Sequence, residues 1–157
     1  MIRRAKASDA AQVREIYCHP LVNPFMNYDP MPLKAFRKAW KKLRTKCEMW
    51  VVEEKGEILA YGGYEHREGK ASHTVHLWAF AVQPGAHGKG IGSQLMRFFL
   101  ARARKQGVLR VQLTAEADNK KALRFYRKHG FRKEGRLRKG SKRKTGCVDL
   151  IALAKLF

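Results

Sequence analysis

The stretch from Val82 to Met96, "VQPGAHGKGIGSQLM", decides how the chain is read. An apolar run ends at Val82, glycines follow at 88, 90 and 92, and Ile91, Leu95, Phe98 and Phe99 then recur at helical spacing. A strand that enters a glycine loop and then a helix gathers backbone N–H groups and the positive end of a helix dipole at one point. Such a loop, here His87, Gly88, Lys89, Gly90, Ile91, Gly92 and Ser93, is suited to a phosphate. The P-loop pattern fails, because Ile91 and Gly92 stand where Lys and Ser or Thr belong after Gly90. The dinucleotide pattern G-x-G-x-x-G fits at Gly88 and Gly90 and fails at Ser93, although Glu116 stands near the place of an acidic ribose ligand. A tight turn without a ligand is the plainest alternative, and glycines at a helix start make it entropically costly.

Working outward, the runs "MWVVEE", "EILAYGGYEH" and "HTVHLWAFAV" before the loop form an antiparallel meander. A dinucleotide fold would alternate strand and helix from its start. Nearer the N-terminus, Ser8 is positioned to cap a helix of about residues 8 to 18 with Val13, Ile16 and Tyr17 on its inner face. "HPLVNPFMNYDPMP" reads as a loop, and Phe36, Trp40 and Leu43 mark a second amphipathic helix. Beyond the glycine loop, the helix ends near Gly107, "VLRVQLTAEA" is a strand, Asn119 to His129 a helix, and "FRKEGRLR" and "CVDLIALAKL" two more strands. The order β, αα, βββ, α, β, α, ββ predicts an α+β fold, and the lack of repeats or linkers predicts one domain over residues 1–157.

The 34 Lys and Arg residues against 13 Asp and Glu leave a net charge of +21. Residues 34–46 hold seven basic residues and no acidic one, and residues 119–146 hold thirteen against Glu134 alone. Such a surface speeds encounter with phosphate-bearing ligands and gives salt-sensitive affinity for nucleic acid, or is simply a solvated face. No apolar run reaches the roughly 20 residues of a membrane span, and "MIRRAKASDA" lacks a signal-peptide core, so a soluble cytoplasmic protein without a membrane partner is expected. Cys18, Cys47 and Cys147 stand too far apart to suggest a disulfide framework or a zinc site, and no metal is expected.

Two motifs together resemble the GNAT N-acetyltransferase superfamily. Val82, Pro84, Gly90 and Gly92 are similar to its Val-x-Pro and [QR]-x-x-G-x-[GA] signature, with His87 in place of the usual Gln or Arg. Asn119, Ala122, Phe125, Tyr126, Gly130 and Phe131 match its second signature, N-x-x-A-x-x-[FL]-Y-x-x-x-G-F. The resemblance implies a GNAT fold, a single mixed, mostly antiparallel sheet of about seven strands flanked by about four helices. It also implies acetyl-CoA as cofactor. The edge of Phe80, Ala81 and Val82 would pair with the pantetheine arm as an added strand does. Amides of residues 87–93 would take the pyrophosphate, with Lys89 supplying charge, and Lys120, Lys121, Arg124 and Arg127 flank the same region. Asn119 would cap its helix and bond the cofactor, beside Ala122.

By the same resemblance Tyr126 is the general acid, and a phenol with a pKa of about 10 suits donation to a leaving thiolate. The amine acceptor has to lose a proton, and His76, six residues before Val82, occupies the place where some relatives keep a Glu. His73 and solvent are the alternative bases. The acceptor cleft is expected from Asn23, Phe25, Met26 and Tyr28 together with the stretch from Arg136 to Asp149. The tail "EGRLRKGSKRKTGCVDLIALA", with Gly146 and Asp149, resembles bacterial L-amino-acid N-acetyltransferases and the enzymes that acetylate ribosomal-protein N-termini. The expected reaction is acetyl transfer to a primary amine of a small molecule such as an amino acid. The alternatives are a protein N-terminal acetyltransferase that docks its basic surface on an acidic protein or ribosome, and a nucleic-acid-binding module without catalysis. Whether the chain works alone or as a homodimer stays open.

Overall fold

The computed structural model describes residues 1–157. Strand β1 (Ile2–Arg4) leads into helices α1 (Ala10–Cys18) and α2 (Leu33–Lys46), then strands β2 (Glu48–Glu54), β3 (Glu57–His66) and β4 (Thr74–Val82). Helix α3 (Ile91–Lys105), strand β5 (Arg110–Glu116), helix α4 (Lys120–Lys128) and strands β6 (Arg132–Arg143) and β7 (Gly146–Leu156) complete it. One seven-stranded sheet runs in the order β1-β2-β3-β4-β5-β7-β6. Every neighbouring pair is antiparallel except β4 and β5. The α+β order read from the sequence therefore stands, and with it the GNAT type of sheet.

Period-two alternation along each strand divides the apolar residues between two cores. Val75, Leu77, Val111 and Leu113 pack with Leu95, Met96 and Phe99 of α3 and Tyr126 of α4. Met49, Val51 and Tyr61 pack with Val13 and Ile16 of α1 and Phe36 and Trp40 of α2. Trp40 is 2% exposed, and its indole N–H donates to the Lys6 carbonyl at 2.9 Å, so burial leaves no polar atom without a partner. No helix is long and apolar enough to cross a membrane.

Two local expectations change. Ser8 does not cap α1; a 3-10 turn over Ala7–Asp9 precedes the helix. The Asp9 carboxylate accepts from the Lys6 amide at 2.6 Å and pairs with Arg3 at 2.8 Å, and these bonds fix the entry. Strand β6 runs past Arg138 to Arg143, with a bulge between Leu137 and Ser141 where Lys139 takes φ +52. As the edge strand it is solvated on most of its length and needs no apolar alternation, which is why its extent is hidden in the sequence.

The sheet opens at one place. Strands β4 and β5 pair only over Thr74–His76 against Arg110–Gln112. Further along, β3 positions Tyr61 and Gly63 face Ala81 and Trp78, so β4 carries one extra residue there, and Ala79 lies at φ +47. A bulge of this kind bends its strand, and here β4 leaves β5 while β5 continues along β7 through Glu116.

Phe99, 1% exposed, meets Tyr64 and Phe80 edge-on at 5.7 and 6.1 Å beneath this opening. Replacing Phe99 by Ala is expected to lower stability by about 3–5 kcal/mol, read as a fall in the urea midpoint at unchanged slope.

Candidate active site

From Leu77 to Val82, strand β4 is paired with β3 and has no neighbour on its other side. The residues around the gap line a cleft of about 570 Å³, among them His76, Trp78, Phe80, Asn119, Ala122 and Tyr126. The cleft passes through the sheet, with α4 at one end and the α1–α2 loop at the other.

At the end of β4 a 3-10 turn over Pro84–Ala86 reverses the chain into the glycine loop. Within this turn the His87 amide donates to Pro84 and the Lys89 amide to Ala86. The first helical bond of α3 runs from the Gln94 amide to the Gly90 carbonyl, so the amides of Gly88, Gly90, Ile91, Gly92 and Ser93 donate to no protein acceptor. Five free donors thus stand together at the start of a fifteen-residue helix, an arrangement suited to an anion, and the amides of His87 and Lys89 are not among them. Gly88 and Gly90 both sit at φ +79, a left-handed conformation that costs a residue with a Cβ about 1–2 kcal/mol. Gly92 is needed for proximity instead: a Cβ there would stand 3.2 Å from Val82 Cγ2. Ser93 Oγ is held 3.1 Å from His129 Nε2.

Tyr126 projects from α4 between Phe125 and Phe131, with ring centroids at 5.5 and 5.7 Å. Only 9% of the residue is exposed, it lines the cleft, and its hydroxyl bonds no protein group. Burial raises its pKa to about 12, so the phenol keeps its proton. Asn119 caps α4 through its side-chain oxygen, which accepts from the Ala122 amide at 3.1 Å, and both residues line the cleft.

His76 lines the same cleft, half-buried, with its ring 4.7 Å from that of Trp78. Burial first and the Arg67 charge second hold its pKa below the ordinary histidine value, against the opposing pull of Glu65. The imidazole is therefore neutral at pH 7 and free to accept a proton. His73 precedes β4, is exposed and does not line the cleft.

Phe25, Met26 and Tyr28 line the end of the cleft nearest the α1–α2 loop, held there because the Tyr28 amide donates to the Tyr17 hydroxyl at 2.9 Å. Asn23 does not reach the cleft: its amide nitrogen donates to the carbonyls of Tyr17 and Tyr28, and so braces the loop, while Asn27 lines the cleft instead. Of the stretch from Arg136 to Asp149, the cleft receives Gly140, Ser141 and Lys142. Asp149 pairs with Arg136 at 2.6 Å and accepts from the Lys139 amide at 2.8 Å, tying down the bulge that carries Gly140 inward. Lys120, Arg127, Arg136 and Asp149 line a separate, larger cavity of about 810 Å³ between α4 and the β6–β7 hairpin, which contains neither Tyr126 nor His76.

Glu116 was not foreseen in the site, whereas Ser141 and Arg143 fall within the stretch from Arg136 to Asp149. Gln112, Thr114 and Glu116 alternate with the core residues Val111 and Leu113, so they face the opposite side of the sheet from α3. Glu116, 8% exposed, accepts from Ser141 Oγ at 2.7 Å and from Arg143. Arg143 also pairs with Asp118 at 2.6 Å and lies 5.3 Å over the Phe25 ring. The alternation along "VQLTAE" was the available signal for Glu116, and Arg143 lay within the expected stretch without being singled out.

An unpaired strand edge beside a cradle of free amides fits the pantetheine and pyrophosphate of acetyl-CoA. Residues 10–131 match the model of the acetyltransferase (GNAT) family, and the chain belongs to that family. It is an acetyl-CoA-dependent N-acetyltransferase. The chain is 27% identical over 146 residues, 87% of its own length and 82% of the relative's, to an L-methionine sulfoximine/L-methionine sulfone acetyltransferase of Pseudomonas aeruginosa. It is 29% identical over 136 residues, 83% of this chain and 78% of the other, to an L-amino acid N-acyltransferase of Escherichia coli. Among solved structures, a ribosomal-protein-alanine N-acetyltransferase from Brucella melitensis superposes with a TM-score of 0.84 at 23% identity, covering 100% of this chain and 99% of that one, a likeness of fold.

A Gly90→Val variant is expected to weaken CoA binding by about tenfold or more, because a β-branched residue resists the left-handed conformation that aims the amides. Calorimetric titration with CoA checks this, and wild-type affinity in the variant would contradict the role given to the loop.

Proposed function

We propose that the enzyme acetylates the amino group of a free amino acid or a similar small primary amine, with His76 as the base and Tyr126 as the acid. The observation that carries this reading is the single cleft through the β4–β5 gap, where a neutral imidazole and a protonated phenol line one cavity of about 570 Å³. The amino-acid acceptors of the curated relatives support the substrate class.

Acetyl-CoA, when bound, supplies the acetyl thioester and departs as the thiol. The unpaired edge of β4 at Phe80, Ala81 and Val82 aligns it, and the free amides of Gly88 to Ser93 face its pyrophosphate. The acceptor arrives as an ammonium, which has to become a neutral amine before it attacks. A ring nitrogen of His76 takes the proton. The Tyr126 hydroxyl gives its own proton to the leaving sulfur, and its dry surroundings keep it protonated until the transfer.

The two groups set the pH dependence. His76 works when neutral and its pKa is lowered, so activity should fall only as pH drops below about 6.5. Tyr126 works when protonated and its pKa is raised to about 12, so it introduces no alkaline loss near neutrality. A thiol-release assay tests both the acceptor and the roles. Turnover is expected with free amino acids and not with short peptides bearing a free N-terminus. The acid limb of kcat/KM should vanish in His76→Gln, and kcat should fall by about 10²–10⁴ in Tyr126→Phe. Preference for the peptides would favour a protein acceptor, and an unchanged acid limb in His76→Gln would remove His76 as the base.

A further inference from the structure

We propose that Lys121 is the cation that neutralises the pyrophosphate of acetyl-CoA, and that His87 is the residue that positions it. The inference rests on the glycine loop being the pyrophosphate cradle.

His87 opens the loop directly after the 3-10 turn, and its ring is gripped from two sides. Its Nε2 lies 3.0 Å from the Val82 carbonyl oxygen, and its Nδ1 lies 2.8 Å from the Lys121 ammonium. A carbonyl oxygen only accepts and an ammonium only donates, so both bonds form together in one tautomer alone: a neutral ring with the proton on Nε2. That single ring joins the end of β4, the start of the free-amide loop and the second residue of α4. The consequence for Lys121 is positional. An exposed lysine ordinarily samples many rotamers; this one is held beside the loop whose next residues, Gly88 to Ser93, include the five unpartnered amides. Restricting a cation before the ligand arrives removes part of the ordering cost of binding. The ammonium of Lys89, at the loop's exposed tip, bonds no protein group and has no such restraint.

The geometry also explains what this position requires. A glutamine offers an N–H to Val82 and an oxygen to Lys121, the same donor and acceptor pair as the neutral imidazole. An arginine offers donors only, and its charge repels the ammonium. Gln and His are thus interchangeable here in a way that Arg and His are not.

Calorimetric titration of the full chain with CoA and with dephospho-CoA, which lacks the 3′-phosphate, tests the assignment. Lys121→Met is expected to raise Kd for both ligands by the same factor, about tenfold, the effect of one charge-assisted hydrogen bond. His87→Arg should match that loss and His87→Gln should stay within about twofold of wild type, with His87→Arg adding nothing further in the Lys121→Met background. A loss confined to CoA would assign Lys121 to the 3′-phosphate and overturn the proposal. So would wild-type affinity in Lys121→Met or His87→Arg, or a loss in His87→Gln equal to that in His87→Arg. Should His87→Arg fail to fold, His87→Ala takes its place, with the same loss expected and the same results overturning the proposal. A wild-type protein that binds neither ligand would instead overturn the acetyl-CoA reading of the cleft itself.

Discussion

Everything in the site depends on where one pair of strands stops pairing. Strands β4 and β5 are parallel neighbours for three residues and then separate, because β4 carries an extra residue opposite β3 and turns at Ala79. A continuous sheet would have used the backbone of Phe80 to Val82 in a ladder and left no passage between its two faces. The separation leaves that edge free, places the glycine loop at the end of β4 and lets α4 cover the opening with Tyr126. Gly92 belongs to the same constraint, since its missing Cβ is what allows α3 to start against Val82.

The two cores then set the chemistry of the two ends. On the α3–α4 side the apolar cluster surrounds Tyr126 and keeps its phenol protonated. On the α1–α2 side the strands present Thr114, His76 and Glu116, and the loop with Phe25 meets the hairpin through Arg143. Glu116 is tied there to Ser141 and Arg143, with Lys142 lining the same cleft.

The parts that were legible in the sequence are those in which local chemistry and position coincide. The glycines at 88, 90 and 92 and the run from Asn119 to Phe131 each announce a turn, a cap and a helix face within a few residues. Asn119 does cap α4, and Tyr126 does line the cleft. What stayed hidden depends on contacts between distant segments. Asn23 and Asn27 look alike in a proline-rich loop, and only the carbonyls of Tyr17 and Tyr28 decide that Asn23 braces the loop. Arg143 lies in a run of basic residues on an edge strand, where no alternation distinguishes it, and the bulge held by Asp149 is invisible without the fold.

The most direct test is amide hydrogen exchange across the chain with and without CoA. The account predicts added protection at the free edge of β4 through Val82 and at Gly88 to Ser93, with β6 and the 810 Å³ cavity unchanged. Protection concentrated at that second cavity, with the β4 edge and the glycine loop exchanging as before, would contradict it.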